Sequence, residues 1–407
     1  MSKKLLVILE CILILALLTG CWSRKEPKNM SMVNSILYDL SPSGETQVMI
    51  EVMHPTGEGK KAGGSTGDTG SGDGASAPMP LVFEGKTVAE ALRNLSKNQD
   101  KELFGGLNQA RIFSEKLCKQ GVGPILDFFA RDHMTDETPL MVVVNDDNPK
   151  RIYTCSTGMS DMLGNYLSSL SDTQQKITCE AVFVTSLQFF KDYYTDGQQP
   201  VMGLVRIEEN TESTNGDQDQ PQKPYIIYEG LAAFKDDKLV GYMNGIETRD
   251  YNMLTNNFKI TAISVPYGND FIAAIIKKAN SKINTELQNE QIKINIKIKA
   301  VLTIIQEYGS IDISQREVIK QVEQEFNEFL KSEIEKTIKK AQNEFKSDIF
   351  GFGRFFHAQH PKEWQKIQEN WDEIFSKAQV SVNVESSIIM EGEIKIPFTM
   401  EKKVNDK

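Results

Sequence analysis

Two stretches in the C-terminal third alternate apolar and polar side chains with a period of two, a pattern that gives an extended strand one dry face and one wet one. In the first, Ile292, Ile294, Ile296, Ile298, Ala300, Leu302 and Ile304 alternate with Lys293, Asn295, Lys297 and Lys299, blurring only towards Val301 and Ile305. In the second, Val380, Val382, Val384, Ile388, Met390, Ile394, Ile396 and Phe398 alternate with Ser381, Asn383, Glu385, Glu391, Glu393 and Lys395, and Gly392 marks a bend or bulge. Between them, from about Ser314 to Asp348, Ile319, Val322, Phe326, Phe329, Ile334, Ile338, Ala341 and Phe345 recur every three or four residues, the spacing of one helical face. At about 1.5 Å per residue such a helix runs roughly 50 Å. Strands with one dry face need a cover, so the stripe is expected on this sheet rather than in a coiled coil with a partner. The region 257–400 is thus expected to be a largely antiparallel sheet packed by a long helix.

Upstream, helix and strand signals alternate. Thr46–Met53 (TQVMIEVM) reads as a strand. From Thr87 the pattern turns helical, with Thr87 placed to cap and Glu90 as its capping-box partner ahead of Ala91, Leu92 and Leu95. An extended piece at Gln109–Phe113, a helix from Ser114, another over Ile125–Arg131 and a buried strand at Leu140–Val144 follow. The expected class is α/β (α+β), multi-domain, with mixed sheets and helices, its first domain spanning 21–195. Strands at Val201–Ile207 and Tyr225–Phe234 and a tight turn at Asp236-Asp237 suggest a small middle unit, 196–256. A cation on that acidic pair is the lesser reading beside a solvated turn.

Two tracts break the pattern. Residues 56–78 are almost wholly Gly, Ser, Thr, Asp, Lys and Ala, and cannot bury enough apolar surface to offset their ordering entropy, so a disordered loop is expected. Glu208–Pro224 reads as a hairpin-like excursion.

At the N-terminus, Lys3 and Lys4 precede an apolar run, Leu5–Leu18, that stops at Thr19-Gly20-Cys21. This is the pattern of a signal peptide, expected over 1–20, and the run is too short for a good membrane span. Glu10 is its one costly residue. Leu18-Thr19-Gly20-Cys21 resembles the bacterial lipobox, so Cys21 is expected to carry lipid, N-palmitoyl and S-diacylglycerol, after cleavage before it. One acyl chain holds a protein marginally and two hold it stably, each buried methylene contributing about 0.8 kcal/mol. With Cys11 removed and Cys21 lipidated, Cys118, Cys155 and Cys179 remain, an odd set without metal-type spacing, expected in or near the core. The net charge of −10 argues against nucleic acid as a partner.

Familiar catalytic motifs are missing from the sequence: no SxxK, Walker loop or GxGxxG after a strand. Of four histidines, only His357 and His360 lie close enough to share a metal, and without an HExxH pattern, capping and packing are the stronger reading. Phe352, Phe355, Phe356, Trp364 and Trp371 read as core more than as a ligand box, since the two tryptophans stand seven apart on an expected helix. No cofactor is implied, and an enzyme is not expected.

Several segments also resemble one family. Cys21-Trp22-Ser23-Arg24-Lys25-Glu26 is similar to the CWDxxE start of the Ger(x)C family, the C subunits of spore nutrient-germinant receptors, although Ser23 stands where Asp is usual. Arg111–Asp132 (RIFSEKLCKQGVGPILDFFARD), Gly230–Leu254 (GLAAFKDDKLVGYMNGIETRDYNML) and Asp348–Trp371 (DIFGFGRFFHAQHPKEWQKIQENW) resemble further family segments, in the family's order. The resemblance implies three α/β domains and a lipoprotein on the outer face of the spore inner membrane. It implies polytopic A and B subunits as partners, assembly or coupling rather than catalysis, and a role in germination in response to nutrients. The alternative is a lipid-anchored extracytoplasmic solute-binding protein, which needs two similar lobes, and no internal duplication is visible. An anchored cell-wall hydrolase would need paired carboxylates or a metal.

Overall fold

The run Leu140–Val144 has no polar side because its strand lies inside a sheet covered on both faces. In the computed structural model of the chain, the described residues are 4, 29–53, 80–97, 99–131, 136–210, 223–268, 270–288, 291–307, 313 and 315–389. The signal segment and Cys21, the tract 56–78, most of the tract 208–224 and the stretch 390–398 of the last alternating segment lie outside them.

The first sheet is assembled from Met30–Leu40 (β1), Thr46–Met53 (β2), Leu81–Gly85 (β3), Glu102–Phe104 (β4), Ala110–Ser114 (β5), Leu140–Asn145 (β6), Val201–Glu208 (β7), Tyr225–Lys235 (β8) and Lys238–Met243 (β9). Its order is β3-β2-β1-β5-β6-β7-β8-β9, with β4 beside β1. The central pairs β1–β5, β5–β6 and β6–β7 are parallel and both flanks are antiparallel, so the sheet is mixed, as the sequence pattern implies. Met141 and Val143 join one buried cluster with Phe113 and Phe189, while Leu140, Val142 and Val144 join another with Ile112 and Leu167. The strands at 201–243, in the segment expected as a middle unit, are hydrogen-bonded into this same sheet.

The helices on this half are Val88–Ser96 (α1), Glu115–Gln120 (α2), Gly123–Arg131 (α3), Leu163–Ile177 (α4), Ser186–Tyr193 (α5) and Gly245–Leu254 (α6). Thr87 caps α1 through its Oγ1, which accepts from Glu90 N at 3.1 Å. The Glu90 carboxylate reaches one residue past the box and accepts from Lys86 N at 2.9 Å.

The second sheet, Thr261–Tyr267 (β10), Asp270–Gln288 (β11), Gln291–Glu307 (β12) and Gln379–Ile388 (β13), runs in that order. It is antiparallel except for β12–β13, a parallel pair, which requires a long crossover. The crossover is the helix Arg316–Lys340 (α7) followed by Phe352–Gln359 (α8), Pro361–Ile367 (α9) and Trp371–Lys377 (α10). In β12, Ile292 to Leu302 are buried at every second position, as the alternation requires.

Helix α7 spans 25 residues, about 37 Å, and stops short of Asp348. A π turn at Ala341–Phe345 and a left-handed Lys346 (φ 50°) end it, and they swing Ser347 and Asp348 towards the first sheet. Its buried stripe is Val322, Phe326, Leu330, Ile334 and Ile338, while Ile319 and Phe329 are only half-buried. Asn327 Oδ1 and Glu323 Oε1 accept from the backbone of Ser386 (2.7 Å) and Ile388 (2.8 Å). These bonds cap donors of the edge strand β13 that would otherwise be open to another chain.

Phe326→Ala should therefore lower the unfolding free energy by about 3–5 kcal/mol, read from urea unfolding, since its ring is fully enclosed between α7 and the sheet.

Candidate functional site at the junction of the two sheets

The segment Asp348-Ile349-Phe350-Gly351-Phe352-Gly353 ties the second sheet to the first. Asp348 is fully buried. Its Oδ1 accepts from Phe352 N at 3.1 Å, and its Oδ2 from Gly353 N at 2.8 Å and Trp371 Nε1 at 2.9 Å. The carboxylate thus sits at the N-terminus of α8, where unpaired amides and the helix dipole favour negative charge. Burial nevertheless dominates, pushing the carboxyl up to about 6 against the lowering effect of those three donors.

With its side chain closed on its own loop, Asp348 offers its carbonyl to Gln199 N at 2.9 Å, and Gly197 O accepts from Arg354 N at 3.2 Å. The two chains meet glycine to glycine: a Cβ on Gly197 (φ +73°) would lie 2.5 Å from the carbonyl carbon of Gly353. Both the left-handed backbone and this approach demand glycine at 197. Ser347 Oγ donates to Phe234 O at 2.6 Å, and Lys235 pairs with Asp372 at 3.0 Å.

A second buried carboxylate reinforces the junction from α6. Asp250 accepts from Arg249 Nη2 and Thr337 Oγ1, each at 2.8 Å, so α6 is pinned to α7. Burial pushes its carboxyl up to about 6 although Arg249 pulls it down. On the rim, Lys340 pairs with Glu247 at 2.7 Å, and Glu247 closes a capping box with Asn244.

The three interior segments singled out by resemblance meet here. Asp237 O accepts from Val122 N at 2.9 Å and Asp237 Oδ2 from Gly123 N at 3.0 Å, joining 111–132 to 230–254. Asp236 (φ 55°) makes the tight turn between β8 and β9. Arg111 is buried, donating to Ser186 Oγ (2.7 Å) and Asp136 O (2.6 Å), with its guanidinium carbon 3.9 Å from the Phe129 ring centre.

The other candidate residues are accounted for by packing. His357 stacks on Trp364 at 5.3 Å, and His360 bonds the carbonyl of Thr285 at 2.9 Å and leads into Pro361 at the start of α9. Phe352, Phe356, Trp364 and Trp371 are buried and Phe355 half-buried against them. Cys118, Cys155 and Cys179 are free and buried, and burial raises each thiol, which leaves them poor nucleophiles. Among the described residues no group of three or more His, Cys, Asp or Glu could hold a metal, and no helix is long and apolar enough to cross a membrane. Cys21 lies outside them. Sequence reasoning passed over Gly197 and met Asp250 and Asp348 only as members of longer segments. The signal available was the polar residues inside otherwise apolar motif segments.

A family model described as the spore germination protein N-terminal domain matches residues 23–207, and one described as spore germination B3/GerAC like, C-terminal, matches 229–392. Spore germination protein KC of Bacillus subtilis (strain 168) is 24% identical over 402 residues, 96% of this chain and 97% of that protein. Spore germination protein B3 of the same organism is 22% identical over 384 residues, 93% and 95% of the two chains. The crystal structure of the GerBC protein superposes with a TM-score of 0.51 at 17% identity, covering 87% of this chain and 96% of that one, which shows a shared fold.

The raised carboxyls fix a pH dependence. Between the unfolded value, about 4, and the folded value the native chain holds the extra proton, so their contribution is full below about pH 4 and is lost as pH rises through about 6. Asp348→Ala should remove its share of that slope. Because it leaves three buried donors unpaired, it should also cost about 3 kcal/mol or more. Urea midpoints of both proteins from acid to neutral pH check both outcomes.

Proposed function

Because the chain belongs to the Ger(x)C family of spore germination proteins, matched over both halves, we propose that it is the lipid-anchored C subunit of a nutrient-germinant receptor. In this reading residues 1–20 are removed, Cys21 carries diacylglycerol and palmitate, and the body stands on the outer face of the spore inner membrane. It acts there by assembling and coupling the polytopic A and B subunits, without catalysis.

The carrying observation is the match of the two family models over residues 23–207 and 229–392. Chain length is compatible with an anchor close to the fold. Asn29, where the continuous described chain begins, follows Cys21 by eight residues, which reach at most about 29 Å when extended. The first sheet is then held within a short radius of the bilayer. The junction suits a coupling role, since a displacement imposed on one sheet by a partner is passed to the other through buried hydrogen bonds rather than through a flexible linker.

Deleting the gene in a spore-former should abolish one nutrient response and leave the others. An unchanged response to every nutrient contradicts the receptor reading. For the anchor, mass spectrometry of membrane-extracted protein should find a diacylglyceryl group at an N-terminal Cys21, and Cys21→Ala should lose both the lipid and membrane retention. A chain still starting at Met1 without lipid contradicts it.

A further inference from the structure

The chain leaves β5 and β6 towards opposite faces of the first sheet. After β5, Leu117 of α2 and Ile125 of α3 join the buried cluster that holds Tyr38 and Phe113. After β6, Ile152 of the short helical turn Pro149–Thr154 and Leu163 of α4 join the cluster that holds Leu37 and Ile112. Where neighbouring parallel strands send their connections to opposite faces, a crevice opens outside their carboxyl ends, the place where open α/β sheets take ligands. Here it is a cavity of about 480 Å³ beyond the ends of the parallel strands β1, β5 and β6. Small-molecule sites usually measure roughly 300–1,000 Å³.

Asp39, Glu115, Asp146 and Asp147 line this cavity. Glu115 is paired with Lys119 at 2.9 Å and Asp146 with Arg151 at 3.1 Å. Asp39 differs from both. It falls on the same side of β1 as Leu37, the side on which Ile152 packs, and is only 8% exposed. Its carboxylate nevertheless makes no hydrogen bond or ion pair with a described residue, and its oxygens keep accessible surface in the cavity. Lys116 and Lys150 also line the cavity, both exposed, and neither pairs with Asp39. A carboxylate so far out of water calls for donors, and these are what the crevice lacks.

We propose that this crevice binds a small primary amine, its ammonium group donating to the Asp39 carboxylate and its carbon chain lying against Pro42 and Pro149. An ammonium suits the site better than a metal ion, because among the described residues no three His, Cys, Asp or Glu are grouped to hold one. A single open carboxylate is enough to accept the charge-assisted N–H bonds that an ammonium offers. The inference stands on the first sheet alone and does not depend on the receptor reading.

Calorimetry of the detergent-solubilised full chain in an amine-free buffer tests it, with ethanolamine and putrescine as probes and tetramethylammonium and calcium chloride as controls. At least one of the two amines should bind with a dissociation constant below about 10 mM and raise the melting temperature. Tetramethylammonium, which carries the charge without an N–H, should do neither. Asp39→Asn should weaken amine binding by about tenfold or more. Without amine this variant should melt no lower than the parent chain, since its carboxylate has no bond to lose, so that lost binding is distinguished from lost folding. The proposal is overturned if neither amine binds, or if tetramethylammonium or calcium binds as tightly as the amines. It is equally overturned if Asp39→Asn binds amine as tightly as the parent chain, or melts well below it without ligand.

Discussion

A carboxylate taken fully out of water has to be met by donors, and the way Asp348 is met organises the molecule. Two backbone amides at the start of α8 and the indole of Trp371 close on its oxygens. In the shape that closure gives residues 347–353, the Asp348 carbonyl accepts from Gln199 N and the Arg354 amide donates to Gly197 O. The glycines at 197 and 353 allow the approach, and the carboxylate fixes where it happens. Ser347 and Phe350 then fall against the strands and helix of the first sheet.

The two sheets are consequently halves of one body. A single buried cluster runs from Tyr38 and Phe113 in the first sheet through Phe234 and Phe350 to Ile296 in the second and Phe326 on α7. Polar contacts that cross it include the buried pair Asp250 and Thr337, the Ser347 bond to Phe234 O, the backbone bonds at 197–199, the Asn256 bonds to Ser281 and the rim ion pairs Lys235–Asp372 and Lys340–Glu247. Apolar burial supplies the bulk of the attraction, while these bonds are directional and select one relative placement of the sheets. The contacts at this junction join positions more than a hundred residues apart in sequence, Gly123 to Asp237 and Phe234 to Ser347 among them.

How much of this was legible follows from the range of each signal. Alternation in 292–302 and the stripe of α7 are local and periodic, and both elements lie where the pattern puts them. The end of α7 was not legible, because apolar spacing continues through Ala341 and Phe345 while the backbone has already widened into a π turn. The joining of 201–243 to the strands of 30–145 depends on non-local pairing across the polar tract, which no window of sequence contains. Aspartates are normally surface or turn residues, so nothing in the sequence marks Asp348 and Asp250 as buried. Asp237 read as a turn residue and is one, with Asp236 between β8 and β9, yet its carboxylate also docks α3.

The central claim is that the Asp348 junction makes the two sheets unfold together. Hydrogen exchange followed by mass spectrometry across a urea series, reading amides of β5 and β12 in the parent chain and in Asp348→Ala, tests it most directly. One shared midpoint is expected in the parent chain and two separated midpoints in the variant. Separate midpoints in the parent chain, or a shared midpoint that survives the substitution, would contradict it.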